Sequence, residues 1–508
     1  MSYLYDQKIK DKVYVYKVTG YWDKEKQQAR QKRICLGRRD LKTKNIIPSK
    51  SQQPPRACRD YGNYYVLKTI AERLGLATIL RQIFPCIWSE ILTCAFYEVS
   101  ERKPLYLCEQ WTESTQTINN TILTSQKISD LLRILGKADN DRMDFFQAWA
   151  THRSEHEYLA FDITSISSYS KIIEFIEFGY NRDGEELPQI NLAMLFGQTS
   201  LLPIFYNSYP GSIKDMSTLK NMIHYAKNIN LRRIHFVMDK GFYSDDNVAE
   251  MLENRVKFVI SVPFTTEFAK SAVDLACKTI AIPSNFFTIN GDIIYACKQI
   301  IKRKNKRLNV FVCYSERKLL DAKESLLKKI LLLEITIGTK RSLSNFHNEY
   351  LKYVHIRKTK NGYKIKRNEQ EIEKALKYKG YVVIISNDIK QAQEALHLYR
   401  AKDVVERAFD NFKNELDLKR LRVHSDLAMT GRLFIGFISL ILHSQINKRM
   451  KEIDLYKIFT QEEVMQELKK IKIIEFHSQN KIITEISKKQ NSIFKSLNIP
   501  VPSAAALL

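Results

Sequence analysis

The sequence lacks the cysteine patterns of zinc ribbons and of disulfide-stapled domains. Its eight cysteines, at positions 35, 58, 86, 94, 108, 277, 297 and 313, form no Cys-x-x-Cys pair. This scatter argues against a disulfide framework and fits a reducing compartment. His152 and His156 are spaced to share one face of a helix and could hold a metal. No third ligand lies nearby in the sequence, which favours ordinary solvent-facing histidines.

Long apolar runs are also missing. No uninterrupted apolar stretch reaches the roughly 18 residues needed to cross a bilayer. The N-terminal stretch MSYLYDQKIKDKVYVYKVTG lacks the apolar core of a signal peptide. Hydrophobic residues nevertheless make up 44% of the 508 residues, which is the composition of a folded chain with several domains. We therefore expect a folded, cytoplasmic protein.

Acidic residues are scarce relative to basic ones. The chain has 81 Lys and Arg against 56 Asp and Glu, a net charge of +25. The excess is spread along the chain rather than confined to a tail. A chain this basic binds or tolerates polyanions, and nucleic acid is the commonest of these. A Lys-rich composition with ordinary solvated faces is the alternative, but the charge favours nucleic-acid binding.

The hydrophobic pattern changes along the chain and predicts an α/β protein in several parts. These are a small β-rich N-terminal unit with a hairpin (1–50), a helical region (58–150), the first part of a core (155–263), a mostly β insertion (264–375), the second part of the core (376–445) and a C-terminal helical region (446–508). The short basic helices of 58–150 suit a DNA-binding helix-turn-helix and a plain helical bundle equally well.

Apolar segments of the core predict a mixed sheet. Three strands, in EYLAFDITSIS, INLAMLFG and LLPIFYNSYPG, are followed by the strand–helix–strand order of RRIHFVMD, DDNVAEMLEN and VKFVISVP. After the insertion, GYVVIISN (380–387) resumes the core as a buried strand. A long helical pattern then runs from about 389 to 416.

Two carboxylates interrupt these strands. Asp162 lies inside YLAFDITSIS, and Asp239 ends IHFVMD. A carboxylate in a buried strand is costly unless it is paired or binds a metal. Two on neighbouring strands predict a negative site, which suits Mg²⁺ because this hard ion prefers carboxylate oxygens. Gly241 is expected to let the chain turn sharply after Asp239, and Ser244 or Asp245 to begin the next helix.

A third carboxylate is expected on the long helix, within YRAKDVVERAFDNFK. Tyr399, Lys402, Glu406 and Lys413 share one stripe of a helix. The apolar stripe beside them would pack on the sheet; it consists of Leu398, Val405, Phe409, Phe412 and Leu416. Glu406 would then point at the two aspartates, flanked by lysines and a tyrosine that could meet phosphates.

Each of these residues also has an ordinary explanation. An aspartate at a strand end can cap a turn, and Glu406 can pair with Lys402 on an exposed helix face. Asp403 and Asp410 lie within one helical turn of Glu406, and phase separates Asp403 from it only weakly. Strand order and basic charge, taken together, favour a shared site.

The helix residues resemble a signature of the DDE transposases of bacterial insertion sequences, Tyr-x2-Arg-x3-Glu-x6-Lys. Tyr399, Lys402, Glu406 and Lys413 have that spacing. Lys402 stands in place of the arginine, so the charge is kept and a bidentate phosphate fork is lost.

Other stretches are similar to the same family over about 158–445. Asp239-Lys240-Gly241-Phe242-Tyr243 resembles its second-aspartate motif, and FDITSIS its first. YPGSIKDMSTL (209–219) is similar to its Pro-Gly-Asn-x-x-Asp stretch, with Ser212 in place of the asparagine. The N-terminal stretch YVYKVTGYWDKEKQQARQKRICLG is also similar to the start of some members.

The resemblance implies a ribonuclease-H-like core with a mostly β insertion before the glutamate. It implies that Asp162, Asp239 and Glu406 are catalytic and bind two Mg²⁺ ions, for which Mn²⁺ could substitute, in an in-line displacement on DNA. It also implies that Tyr399, Lys402 and Lys413 hold phosphates near the cleaved end. Lys240 could meet DNA phosphate as well, or could simply balance the charge of Asp239.

The implied activity is that of a transposase that binds the terminal inverted repeats of an insertion sequence, cuts DNA and joins it to a target. Such an enzyme would work as a homodimer on double-stranded DNA, in the prokaryotic cytoplasm and at the nucleoid when active. A catalytically inactive DNA-binding descendant and a metal-dependent nuclease without strand transfer are the alternatives. The three carboxylates favour the enzyme, because a pure DNA-binding protein has no need to keep them together.

Overall fold

The computed structural model describes residues 2–23, 27–40, 44–48, 55–151, 153, 157–231, 234–339, 348–359, 362–476 and 481–503. The chain divides into two compact units. The first comprises Met1–Ala77, Ser89–Ile128 and Ile446–Leu508, and the second comprises Thr78–Trp88 and Ser129–Gln445. Every residue of the predicted site falls in the second unit.

The first unit begins with a four-stranded antiparallel sheet that pairs in chain order. Its strands are β1 (Ser2–Ile9), β2 (Lys12–Asp23), β3 (Gln28–Arg39) and β4 (Ile46–Pro48), and β5 (Pro55–Asp60) follows separately. β2 and β3 form the hairpin that the alternating pattern predicts. At Gly37, φ is +148° and a Cβ atom would lie 2.0 Å from the carbonyl oxygen of Ile47. Only glycine therefore fits where β4 joins β3.

The second unit is built on a nine-stranded mixed sheet. Its first five strands in the chain are β6 (Leu159–Ser167), β7 (Gln189–Gly197), β8 (Pro203–Pro210), β9 (His235–Met238) and β10 (Lys257–Val262). In space they lie in the order β8-β7-β6-β9-β10. The first three pair antiparallel, whereas β9 runs parallel to β6 and β10 runs parallel to β9. The second unit thus has the mixed ribonuclease-H-like core that the sequence predicts.

The segment after β10 extends the same sheet. It contains β11 (Phe286–Ile289), β12 (Asp292–Arg303) and β13 (Lys306–Tyr314), then a separate hairpin of β14 (Val354–Thr359) and β15 (Gly362–Arg367), and it ends at β16 (Tyr381–Ser386). β16 lies antiparallel to both β10 and β13, so β11 to β13 continue the sheet beyond β16. The hairpin packs instead on the helix Glu316–Gly338, through a small core around Leu333 and Tyr353.

Sixteen α-helices are present in the described part of the chain. They are Gly62–Arg73, Leu76–Ile83, Trp88–Glu101, Cys108–Ser114, Ser125–Lys137, Asp139–Thr151, Asp215–Asn228, Asp245–Glu253, Glu267–Ala276, Glu316–Gly338, Glu369–Leu376, Ala392–Ala401, Asp403–Asp410, Asp426–Glu452, Gln461–Lys469 and Lys488–Ser496. The helix Asp403–Asp410 packs on the sheet with Val405 and Phe409 buried, as its apolar stripe predicts.

The end of the chain completes the first unit. β17 (Lys472–Phe476) pairs with β5 on one side and with β18 (Lys481–Ile483) on the other. In the chain, the helix Gln461–Lys469 precedes β17 and the helix Lys488–Ser496 follows β18. Each begins with a capping box, Thr460 with Glu463 and Ser487 with Gln490. Both boxes satisfy backbone N–H groups at the helix start, which explains where these two helices begin.

Among the residues that the structure describes, one helix, Asp426–Glu452, is long and apolar enough to cross a membrane by length and composition. However, 83% of its apolar window is buried inside the protein. Leu433, Phe434 and Phe437 are among the side chains that it buries. This is the burial expected of a core helix. None of the eight cysteines is part of a disulfide bond.

Asn191 of β7 holds the turn that precedes the helix Asp215–Asn228. Its side chain is buried, and Nδ2 donates hydrogen bonds to the carbonyl oxygens of Gly211, at 3.1 Å, and Ile213, at 3.0 Å. These bonds join the YPGSIKD segment to the central sheet and so place Asp215 at the edge of the predicted site.

Asn191→Ala is expected to destabilise the protein by about 1–3 kcal/mol, because it removes the side-chain donor to the buried carbonyl group of Gly211. Urea unfolding followed by circular dichroism measures the change. A midpoint equal to that of the unsubstituted protein would contradict this account of the turn.

Candidate active site

Asp162 occupies the middle of β6 and is largely buried there. Its Oδ1 accepts a hydrogen bond of 2.8 Å from the backbone N–H of Ile163. Burial raises the pKa of the Asp162 carboxyl to about 6, against the lowering effect of that hydrogen bond and of the nearby Lys402 and Arg182. Glu406 raises the pKa further. The carboxylate therefore lies in an environment that disfavours its charge.

Asp239 follows β9, the parallel neighbour of β6. The pairing of Phe161 with Met238 brings Asp239 next to Asp162, as the sequence predicts. Tyr399 donates its hydroxyl to Oδ1 of Asp239 at 2.6 Å. Burial of Tyr399 and the adjacent Asp239 both raise the pKa of this hydroxyl, so it stays protonated and can remain a donor.

The turn after Asp239 differs from the predicted one. Residues Lys240–Phe242 form a single 3₁₀ turn, and a Cβ atom on Gly241 would meet only Asp215 Oδ2, at 3.6 Å. Such a turn uses ordinary right-handed backbone angles, so the geometry does not require glycine here. Ser244 begins the next helix by accepting a hydrogen bond from Asn247, which confirms one of the two predicted starts.

The long helix predicted from about 389 to 416 is divided in the structure. Ala392–Ala401 and Asp403–Asp410 are separate helices that meet at Lys402, and a π turn covers Asn411–Glu415. Irregular turns of this kind redirect side chains that an ideal helix would align.

Lys402 lies at the junction of the two helices. It is hydrogen-bonded to one of the three carboxylates and interacts electrostatically with the other two. Its Nζ donates to Oε1 of Glu406 at 2.5 Å and lies 5.8 Å from the centre of the Tyr399 ring. Burial lowers the pKa of the Lys402 ammonium, but Glu406, Asp239 and Asp162 together raise it above its ordinary value. One buried cation therefore balances the carboxylates of β6, β9 and the helix.

The two other acidic residues of this helix point elsewhere. Asp410 accepts a hydrogen bond of 2.6 Å from Asn414. Asp403 is exposed, and its charge raises the pKa of Lys318, against the larger lowering effect of burial. Of the three candidates, Glu406 is the one whose side chain accepts a hydrogen bond from Lys402. Its catalytic role stays a prediction.

Lys413 is paired with a different carboxylate, that of Asp183. Its side chain is buried, and Nζ donates to both oxygens of Asp183 at 2.8 Å. Burial lowers the pKa of Lys413, and Asp183 offsets only part of that effect. Lys240, by contrast, is exposed beside Asp239.

The loop between β6 and β7 adds residues that the sequence did not indicate. The guanidinium of Arg182 pairs with Asp215 and donates to Ser165 Oγ at 3.5 Å, and it lowers the pKa of Asp162. Asp215 is the last residue of the YPGSIKD stretch, but no feature of the linear sequence links it to Arg182. A guanidinium thus lies near the site although the helix carries Lys402 where the signature has arginine.

The donor set suits a divalent ion, although no ready-made metal site is formed. In the described part of the chain, no three His, Cys, Asp or Glu side chains are positioned to hold a metal. Asp162, Asp239 and Glu406 offer carboxylate oxygens, the ligands that Mg²⁺ prefers. Asp162 uses only Oδ1 in its hydrogen bond to the chain. His152 and His156 lie outside the described residues.

Asp162→Asn is expected to stabilise the protein in a chelating buffer at pH 8, by on the order of 2 kcal/mol. The raised pKa means that the folded state binds the proton more tightly, so stability falls as pH rises from about 4 through about 6. Asparagine removes that loss. Urea unfolding at pH 8 and pH 5 should show a smaller gain at pH 5. Asp246→Asn, at an exposed carboxylate, is the control, and a destabilised Asp162→Asn at pH 8 would refute the assigned environment.

Asp183→Asn is expected to destabilise the protein by about 2 kcal/mol, because it leaves the buried Lys413 ammonium without its partner. Adding Lys413→Met should recover part of that loss, since both charges are then gone. Equilibrium unfolding of the two single variants and the double variant measures the coupling. Strictly additive effects would show that the pair does not interact.

Comparison with known proteins identifies the family of the second unit's core. Residues 153–442, more than half of the chain, match the transposase DDE domain family. Solved structures that match include a cryo-EM structure of the piggyBac transposase synaptic complex with hairpin DNA; that match has 10% sequence identity and a TM-score of 0.36, and it covers 80% of this chain and 70% of the other. No curated protein matches the chain. The chain belongs to the transposase DDE domain family and is a transposase by descent.

Proposed function

We propose that the protein is an active transposase of a bacterial insertion sequence. It binds the terminal inverted repeats of the element, cleaves the DNA there and transfers the strand ends to a target. The observation that carries this proposal is the placement of Asp162, Asp239 and Glu406 around the Lys402 ammonium. A protein that only binds DNA gains nothing from three carboxylates whose charges repel one another.

Asp162, Asp239 and Glu406 would hold two divalent ions, Mg²⁺ or Mn²⁺. When bound, such ions activate a water or a 3′-hydroxyl and stabilise the leaving oxygen in an in-line displacement. Glu406 would offer Oε2 to a metal, because its Oε1 accepts the hydrogen bond from Lys402. Lys402 would contact a DNA phosphate if a metal displaced it from Glu406.

The neighbouring residues would orient the carboxylates and the DNA. Tyr399 fixes one oxygen of Asp239 and leaves the other for a ligand. Lys402, Lys413 and the exposed Lys240 would contact phosphates near the cleaved end. Lys413 must leave Asp183 to do so.

The partners follow from the reaction. The DNA is double-stranded, at the element ends and at the target, and the net charge of +25 favours its binding. Two ends must meet before joining, so we propose a homodimer on DNA. The enzyme would act in the cytoplasm of a prokaryotic cell, at the nucleoid.

Asp239→Ala is expected to reduce DNA cleavage more than about 100-fold, an increase in the barrier of about 2.7 kcal/mol. The assay uses purified protein, Mg²⁺ and a DNA fragment that carries the element ends, with strand cleavage resolved on a denaturing gel. Asp246→Ala, at an exposed carboxylate a few residues along the chain, is the matched control and should cleave normally. Equal activity of Asp239→Ala and the unsubstituted protein would refute the site.

The same assay tests whether Glu406, rather than a neighbouring carboxylate, is catalytic. It also distinguishes a transposase from a nuclease and from an inactive DNA-binding protein. Glu406→Gln should lose cleavage, whereas Asp410→Asn should keep it. Cleaved ends that are never joined to target DNA would indicate a simple nuclease. Binding to the ends with no cleavage by the unsubstituted protein would indicate an inactive DNA-binding descendant.

A further inference from the structure

The N-terminal sheet gathers aromatic side chains on one of its two faces. Because side chains alternate along a strand and paired residues share a face, the register assigns each residue to a side. Tyr3 pairs with Val18, and Tyr5 pairs with Tyr16, while Trp22 lies four residues beyond Val18 on β2. We call this side the aromatic face; its aromatic residues are Tyr3, Tyr5, Tyr14, Tyr16 and Trp22.

These rings are open to solvent. Tyr3 is 52% exposed, Tyr5 43% and Trp22 62%, and Tyr14 and Tyr16 are half-buried beside them. Contiguous exposed rings of this kind are uncommon unless a surface binds something. Tyr21, 49% exposed, is the one aromatic residue of the three long strands on the opposite face.

The charge of the sheet selects an anionic partner. β1, β2 and β3 carry eight basic and two acidic residues. Lys12, Arg33 and Arg38 lie on the aromatic face, where the pairing places no acidic residue. The Arg33 guanidinium lies 5.6 Å from the centre of the Tyr5 ring. On the opposite face, Arg39 is instead paired with Asp6 at 2.7 Å.

Aromatic rings interleaved with arginine suit unpaired nucleobases better than a duplex. A flat base can stack on a tyrosine or tryptophan ring only when its own face is free, and in a duplex each base already stacks on its neighbours. Arginine beside the rings can meet the phosphates that join those bases. The aromatic face thus offers both contacts that a single strand requires.

We propose that the aromatic face binds single-stranded DNA by stacking its bases on Tyr3, Tyr5 and Trp22, with Arg33 and Arg38 on the backbone phosphates. The site lies in the first unit, outside the residues that match the transposase family. It does not depend on the proposed catalytic activity.

Fluorescence titration of the full chain tests this directly, because Trp22 is itself a reporter. Trp111 and Trp149 are buried, and Trp88 is half-buried with the Arg81 guanidinium 4.5 Å from its ring centre. Quenching that disappears in Trp22→Phe is therefore assigned to Trp22. The probe is an oligothymidylate of about 10 nucleotides, within the usual site size for such surfaces. Excess duplex DNA is present throughout to saturate any site for double strands.

The expected result is saturable quenching by the single strand that the duplex alone does not produce. Tyr5→Ala or Trp22→Ala should weaken binding, measured with labelled probe, about 10-fold. Trp22→Phe should keep binding but lose the quenching. Tyr21→Ala is the matched control, since it removes an equally exposed ring from the opposite face.

Three results would overturn the proposal. They are the absence of quenching by the oligothymidylate, equal quenching by duplex, and a loss of binding in Tyr21→Ala as large as that in Tyr5→Ala. Tyr5→Phe keeps the ring and should bind normally, which separates loss of stacking from loss of folding. Tighter binding of an oligouridylate of equal length would reassign the ligand to RNA.

Discussion

One buried ammonium, that of Lys402, counters the charges of three carboxylates in the second unit. Asp162 and Asp239 are brought together because β9 pairs parallel with β6, and Glu406 is brought to them by a helix that packs on the same sheet. Burial is the main cause of the raised pKa of Asp162, and the charge of Glu406 adds to it. The Lys402 ammonium opposes both effects and interacts electrostatically with all three carboxylates.

The position of Lys402 depends on the irregular course of its helix. The helix breaks at this residue, and the π turn at Asn411–Glu415 follows one short helical segment later. Tyr399 bonds to Asp239, Lys402 to Glu406 and Lys413 to Asp183. The Lys402–Glu406 pair keeps the i,i+4 spacing of a regular helix. Tyr399, before the break, and Lys413, in the π turn, instead bond to carboxylates on other elements.

Around this centre, two residues of the loop between β6 and β7, Arg182 and Asp183, form ion pairs with residues of other segments. We call these two ion pairs the second layer of charge. Arg182 with Asp215 and Lys413 with Asp183 place alternating charges beside Asp162 and the helix. Each cation is held by a carboxylate that a phosphate could replace, because both offer the same anionic oxygens to an ammonium or guanidinium group. Both cations of this layer are therefore held in place and partly withdrawn from solvent by the protein itself.

Local patterns in the sequence were sufficient to predict the strands of the core and the aspartates on β6 and after β9. They also predicted the apolar stripe that packs Val405 and Phe409 on the sheet. Strand alternation, helical periodicity and the placement of polar residues within apolar runs are properties of short segments, so they can be recognised without the fold. The choice of Glu406 over Asp403 and Asp410 was not available in this way, since each of the two aspartates lies within about one helical turn of Glu406. It depends on what the tertiary structure places opposite each side chain: Asp410 accepts a hydrogen bond from Asn414, and Glu406 accepts one from Lys402. The pairing of Arg182 with Asp215, like that of Asp183 with Lys413, joins residues far apart in the chain, and no local pattern links them. Such contacts arise only when packing brings distant segments together and forces each buried charge to find a partner.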